Sequence, residues 1–283
     1  VIAAGNETGL AHHYAGRFSA DTSFEDVELR VGEEEGKRGF ILELWSSAAD
    51  LYTVGFVSPG GERISRIPIL SNNETRIPFL LESTVITVSY QLIEAGSGSQ
   101  LVSMRFERPS PGIWTIRVYN TQFLTGEYHM WLPVQGLILE ETYFLEPSPY
   151  NTVTAPGDSL ESITVTAYQY RDNSLYVQAS RGFMPDGNVV PQVAAPGVQI
   201  RVPQLNGLYG NASGTSLSAA QTAGAAALLF EWAVIRGNQP YFTGSSVKNY
   251  ITRGAEREER MQYPNRDWGF GRMDLYHTFE LLA

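Results

Sequence analysis

The chain has 283 residues, 43% of them hydrophobic and 18% charged, which is enough apolar material for one large or two modest domains with a real core. A formal net charge of −10 argues against a nucleic-acid partner, since phosphates would be repelled and no counterions released. With no cysteine, disulfides, thiolate catalysis and cysteine-ligated metals are excluded.

Val1-Ile2-Ala3-Ala4-Gly5-Asn6 reads as a buried strand running into a tight turn. It has neither the charged region nor the cleavage pattern of a signal peptide. A domain rarely starts inside its own core, so further residues are expected upstream. From about residue 17 to about residue 140 the texture is β. Phe40-Ile41-Leu42-Glu43-Leu44-Trp45 and Tyr52-Thr53-Val54-Gly55-Phe56-Val57 are short runs of aromatic and branched residues, and Pro59-Gly60-Gly61 is a turn. Val85-Ile86-Thr87-Val88-Ser89-Tyr90 is another strand. Residues 113–119 alternate, with Trp114, Ile116 and Val118 on one face and Thr115, Arg117 and Tyr119 on the other. Tyr128-His129-Met130-Trp131-Leu132 closes the set. No helix is expected between residues 21 and 132, and the spacing suggests an antiparallel sandwich of jelly-roll type.

Beyond about residue 140 the texture becomes α/β. Ile163-Thr164-Val165-Thr166-Ala167 is a short apolar strand, and Val193-Ala194-Ala195-Pro196-Gly197 is a strand stopped by a Pro-Gly turn. Residues 216–234 are Ala-rich and apolar nearly all round, which favours a buried helix. A second helix is expected to start at Ser245 or Ser246 and to end before Gly254, read as a left-handed C-terminal residue. No stretch reads as long and apolar enough to span a bilayer. Residues 1–16 and 141–283 are therefore expected to form one α/β unit with a mainly parallel sheet, and residues 17–140 an inserted β-sandwich.

The segment with most chemical content is Asn211-Ala212-Ser213-Gly214-Thr215-Ser216-Leu217-Ser218-Ala219, which leads into the Ala-rich helix. A serine at a helix start sits at the positive end of the helix dipole. Small neighbours let a substrate backbone approach, and backbone N–H groups there can receive an oxyanion. Serine and threonine are also ordinary helix caps, so by itself the segment reads as no more than a capped helix start.

Its context changes that. The segment resembles the serine motif of the subtilisin family (subtilases), in which Gly-Thr-Ser precedes small residues and an Ala/Gly-rich helix. The family usually has Pro and His where this chain has Ala220 and Gln221. Three further segments match in the order the family requires. Ala3-Ala4-Gly5-Asn6-Glu7 resembles its Ala-Gly-Asn motif, Val193-Ala194-Ala195-Pro196-Gly197 the strand and turn before the serine loop, and Gly269-Phe270-Gly271-Arg272-Met273-Asp274 a C-terminal segment read here as packing only. The resemblance implies a subtilisin-like α/β fold and peptide-bond hydrolysis through an acyl-enzyme. It makes Ser216 the nucleophile and Asn6 the oxyanion donor, with the Ser216 backbone N–H as companion. Ala3, Ala4 and Gly5 would wall the specificity pocket, and Gly214 and Thr215 would border the substrate.

A serine hydroxyl needs a base. The family takes it from a His oriented by an Asp, both placed before the Ala-Gly-Asn motif. The four histidines are His12, His13, His129 and His277, and none sits in the family's His-Gly-Thr setting. His12 and His13, adjacent on an extended segment, point oppositely and are read as a loop feature rather than a metal site. Asp21-Thr22-Ser23 lacks the preceding apolar strand and stands in the wrong part of the order. The Asp and His are thus expected upstream, and the chain alone is expected to be inactive and prone to pair with itself or with the upstream segment. No cofactor is evident. Calcium is common in the family, but no Asp-x-Asp ligand cluster stands out.

The β region, with Leu44-Trp45, Asp50, Ser58-Pro59-Gly60-Gly61-Glu62 and Gly112-Ile113-Trp114-Thr115-Ile116, resembles the jelly-roll insertion of the clostridial germination proteases, the Csp subgroup. That implies a bacterial enzyme acting on a proenzyme in spores. A clamp on the catalytic domain and a sugar-binding surface are the alternative roles for the insertion. For the whole chain the alternative to an endopeptidase is a pseudoprotease that keeps the fold and acts by binding.

Overall fold

The structure is a computed structural model, and it describes residues 1–19, 21–46, 50–69, 74–122 and 124–282. The chain forms two compact units, Val1–Gly9 with Pro149–Ala283, and Leu10–Ser148.

After strand β1 (Ile2–Ala3) the chain enters the second unit. Its strands are β2 (His13–Arg17), β3 (Phe24–Val31), β4 (Phe40–Ser46), β5 (Leu51–Val57), β6 (Arg63–Ile64), β7 (Thr75–Pro78), β8 (Val85–Gln91), β9 (Gln100–Glu107), β10 (Gly112–Gln122), β11 (Glu127–Trp131) and β12 (Tyr143–Phe144). They make a five-stranded sheet, β12-β3-β10-β5-β6, and a six-stranded one, β2-β11-β4-β9-β8-β7. All pairings within both are antiparallel. One core cluster draws Val27, Leu29 and Trp114 from the first sheet and Leu42, Leu44 and Met104 from the second, so the sheets form a sandwich. The alternation read along β10 holds: Trp114, Ile116 and Val118 are buried. Trp114 receives Phe79 and Phe106 edge-on at 5.0 and 5.6 Å and donates its indole N–H to Ser110 O at 2.9 Å.

The limits of this unit differ from those expected. β2 pairs with β11 and β12 with β3, so the β unit takes in residues 10–16 and 141–148. Its two ends meet: Phe144 N–H donates to Ala11 O at 3.0 Å, and Ser148 N–H to His13 O at 2.8 Å. Both histidines are buried; His12 immediately precedes β2, whereas His13 is its first residue and pairs with Trp131 rather than lying in a loop. A short 3-10 turn, Glu33–Lys37, also interrupts the β pattern; the buried Glu35 carboxylate holds it by accepting from Leu139 N–H and the Thr142 hydroxyl, both at 3.0 Å.

The first unit resumes with β13 (Thr164–Tyr168), β14 (Val193–Pro196), the hairpin β15 (Ile200–Pro203) and β16 (Tyr209–Ala212), and helices α1 (Thr215–Phe230), α2 (Gly244–Gly254) and α3 (Leu275–Glu280). β1, β13 and β14 form a parallel sheet, with Ala3 opposite Val165 and Val165 opposite Val193. All five residues of β13 are buried, two of them threonines, as suits a parallel strand covered on both faces.

α1 lies on this sheet through Ser218, Thr222, Ala225 and Leu229, one stripe at helical spacing. The expectation of a buried helix holds for one face only: Leu228 is 49% and Phe230 37% exposed. The expectation about membranes is corrected. Residues Thr215–Ile235 are long and apolar enough to cross a bilayer by length and composition, although the stripe just named packs on the sheet. α2 begins at Gly244, close to the expected start, but its cap is Thr243 rather than Ser245 or Ser246. Thr243 and Ser246 form a reciprocal capping box, each side chain accepting from the other's backbone N–H. Gly254 ends α2 without a left-handed turn. A Cβ there would lie 2.3 Å from Thr278 Oγ1, so close packing on α3 is what requires glycine.

Candidate active site

β1 runs along β13, and beyond it Ala4 N–H donates to Val165 O at 3.0 Å while Thr154 N–H donates to Ala4 O at 3.1 Å. The chain then turns at Gly5, with φ +102°. A Cβ at Gly5 would stand 2.7 Å from Thr154 Oγ1 and 2.9 Å from Ser180 Oγ, so both backbone angle and space require glycine. The turn presents Asn6.

The serine loop reaches the same place from the other end of the unit. Gly197, after β14, donates its N–H to Tyr168 O at 3.0 Å and accepts from Gly214 N–H at 2.8 Å. A Cβ on Gly197 would lie 2.2 Å from Ser218 Oγ, and Ser218 Oγ donates to Ala195 O at 2.9 Å. The strand-and-turn segment and the serine loop are thus bonded to one another directly. Gly214, with φ +153°, turns the chain into α1.

Asn6 meets the start of α1. Its Oδ1 accepts Thr215 N–H at 3.2 Å, and the Thr215 hydroxyl lies 3.3 Å away. That hydroxyl also stands 3.2 Å from Gly5 O and accepts Gly5 N–H at 3.2 Å. Since a backbone N–H must face the amide oxygen, the Asn6 carboxamide is fixed with its NH2 turned away from Thr215. Of the first three N–H groups of α1, that of Thr215 goes to Asn6 and that of Leu217 to Gly214 O at 3.1 Å. The N–H of Ser216 lies between them, and Ser216 itself is exposed in the first helical turn.

Of the residues singled out in the sequence, Gly5, Asn6, Gly214 and Thr215 come together here, and Ser216 follows on the helix. Ala3 lies half-buried in β1, while Ala4 is fully buried, so Gly5 and Ala3 carry the accessible part of that segment. Gln221 donates its side-chain N–H to Pro196 O at 2.7 Å. It borders a cavity of about 530 Å³ lined also by Tyr170, Arg201 and Asn211. His277 stands on α3 with Nδ1 3.3 Å from a Glu280 oxygen. His13 and His129 belong to the sandwich, their ring nitrogens 3.0 Å apart and their rings stacked on Trp131. Among the described residues no group of three or more His, Asp or Glu side chains is placed to hold a metal ion. Sequence reasoning missed Thr154, Ser180 and Ser218. Ser218 was within the serine motif, but Thr154 and Ser180 lie in unpatterned loops whose approach to Gly5 only the fold creates.

Residues 145–271 match the model of the subtilase family. No curated protein sequence matches the chain. Among solved structures, the Clostridium perfringens CspB protease is 32% identical, with a TM-score of 0.90 over 99% of this chain and 58% of that one. The prenylagaramide maturation protease PagA is 22% identical over 47% of each chain with a TM-score of 0.41, and the patellamide maturation protease PatA 22% identical over 47% of each with 0.40. At that level these two add nothing to the fold. The chain thus spans a little over half the length of the CspB chain it matches. The family match lies on the segment that carries the serine loop, and the fold is shared almost from end to end with CspB, so the likeness to subtilases rests on sequence and structure together.

Proposed function

We propose that this chain carries the nucleophile and the oxyanion donor of a subtilisin-type endopeptidase, with Ser216 attacking the scissile carbonyl. The observation that carries the reading is the bond from Thr215 N–H to Asn6 Oδ1 at 3.2 Å. It turns the Asn6 NH2 outward one residue from Ser216. Attack would place the carbonyl oxygen's new charge between the Asn6 Nδ2–H and the Ser216 N–H, at the positive end of α1. Collapse of the tetrahedral intermediate expels the amine and leaves an acyl-Ser216, which water then hydrolyses.

The proton of Ser216 needs a base. We assign this to a His oriented by an Asp in an upstream segment, the place the subtilase resemblance gives them. The exposed face of α1, with Leu228 and Phe230, is then the surface that segment covers, or that drives self-association when the chain is alone. The substrate is a protein or peptide, and the sandwich of residues 10–148 is an inserted jelly-roll domain of the Csp kind. Bacterial origin and action on a proenzyme follow from the same likeness.

Active-site labelling tests this. The protein with its upstream segment, treated with a fluorophosphonate, should carry one adduct, on Ser216, and Ser216→Ala should carry none. A folded parent protein that takes no label would instead favour a pseudoprotease.

A further inference from the structure

The turn that presents Asn6 is gripped by a residue outside every motif of the sequence. Ser180 is fully buried. Its backbone N–H donates to Gly5 O at 2.9 Å, and its hydroxyl accepts Glu7 N–H at 3.0 Å. One residue therefore bonds the turn on both sides of Asn6. The strand of chain around Ser180 is itself fixed. Thr8 Oγ1 donates to Ala179 O at 2.8 Å, Arg181 N–H to Thr152 Oγ1 at 2.9 Å, and Thr152 N–H to Arg181 O at 3.0 Å. Thr215 holds the Asn6 side chain from the opposite direction. The joint between these two grips is Gly5, the residue with least intrinsic resistance to rotation.

We infer that Ser180 is a positioning residue for the oxyanion donor: its hydroxyl fixes the turn of residues 5–7 so that the Asn6 amide points where charge develops. This rests on the reading of Asn6 given above. The physical reason is that a donor must stand about 3 Å from the oxyanion rather than from the ground-state carbonyl oxygen. A turn held on one flank only would let Asn6 drift. The loss would fall on the transition state, lowering kcat and leaving KM nearly unchanged.

The test is a double-mutant cycle in the protein with its upstream segment, on a chromogenic peptide. Ser180→Ala should lower kcat about tenfold, less than the 10²–10³-fold of removing such a donor outright, with KM changed by no more than about twofold. In the Asn6→Ala background the same substitution should cost under about twofold. An equal loss in both backgrounds would show that Ser180 acts on the fold in general and would overturn the inference. If Ser180→Ala does not fold, Ser180→Cys keeps the site filled, with a somewhat larger and only weakly accepting atom, and takes its place. Asparagine-selective ¹⁵N labelling separates this inference from the reading beneath it. Should Asn6→Ala keep full kcat, the oxyanion role fails. A shifted or broadened Asn6 side-chain amide signal in the Ser180 variant still supports positioning, and an unmoved one refutes it.

Discussion

The sandwich and the α/β unit bury their residues in opposite ways. Among the described residues the largest fully buried side chains, Trp114, Tyr52, Tyr128, Phe56, Phe106 and Phe144, all belong to the sandwich. There two inner faces supply rings that fill each other's space, and the core is closed by its own strands. The α/β unit works with small residues. Ala4, Ala194 and Ala195 are fully buried, and Gly5, Gly197, Gly214 and Gly254 stand where a Cβ would collide or the backbone would be strained. Its long helix is covered along one stripe only. Large rings give a core that tolerates approximate registry, whereas small residues bring backbones and hydroxyls into direct contact. The second kind of packing is what a site built from N–H groups needs.

Four substitutions sharpen this contrast. Trp114→Ala should cost the sandwich about 3–5 kcal/mol in urea unfolding, the range for deleting a buried aromatic ring. A cost below about 1 kcal/mol would mean that the rings are loosely packed. Asn6→Ala should leave the unfolding midpoint close to that of the parent and lower kcat about 10²–10³-fold, equivalent to roughly 3–4 kcal/mol of transition-state stabilisation.

Asp50→Asn addresses a polar anchor of the sandwich. Burial pushes the Asp50 carboxyl up, but the Thr125 hydroxyl and the N–H groups of Leu124, Thr125 and Gly126 outweigh it and hold it below the usual carboxylate range. The ionised form is therefore favoured in the folded state. Its stabilisation is complete above the ordinary carboxylate value of about 3.9 and is lost as pH falls through the lowered folded value. Asp50→Asn should cost about 1–3 kcal/mol near pH 7, with the gap from the parent narrowing below about pH 4. A gap constant down to pH 2 would contradict the role of the charge. Leu228→Gln, on the open face of α1, should change the stability of the isolated chain by less than about 0.5 kcal/mol. With the upstream segment present the cost should rise, because that face is then covered; equal costs would leave the face unpartnered.

The sandwich was legible because alternation is a local signal: Trp114, Ile116 and Val118 announce their face without reference to any other strand. Its limits were not, since the pairing of His13 with Trp131 depends on a partner more than a hundred residues away. The serine loop and the Asn6 turn stood out only through their resemblance to subtilase motifs in a fixed order; alone, the serine segment reads as a capped helix start. Which side of α1 is open, Leu228 included, was not legible, because an apolar Ala-rich run looks the same on every face. Ser180 left no trace at all: a lone serine in a loop acquires meaning only when the fold carries it to the backbone of Gly5 and Glu7.

The central claim is that Ser216 is a nucleophile awaiting a base from elsewhere in the protein. Casein cleavage measures it most directly, with the chain alone, the chain joined to its upstream segment, and the joined protein carrying Ser216→Ala. The chain alone should give background cleavage and the joined protein robust cleavage, which Ser216→Ala should lower by at least about 10³-fold. Robust cleavage by the chain alone, or joined protein that keeps its activity without the Ser216 hydroxyl, would contradict it.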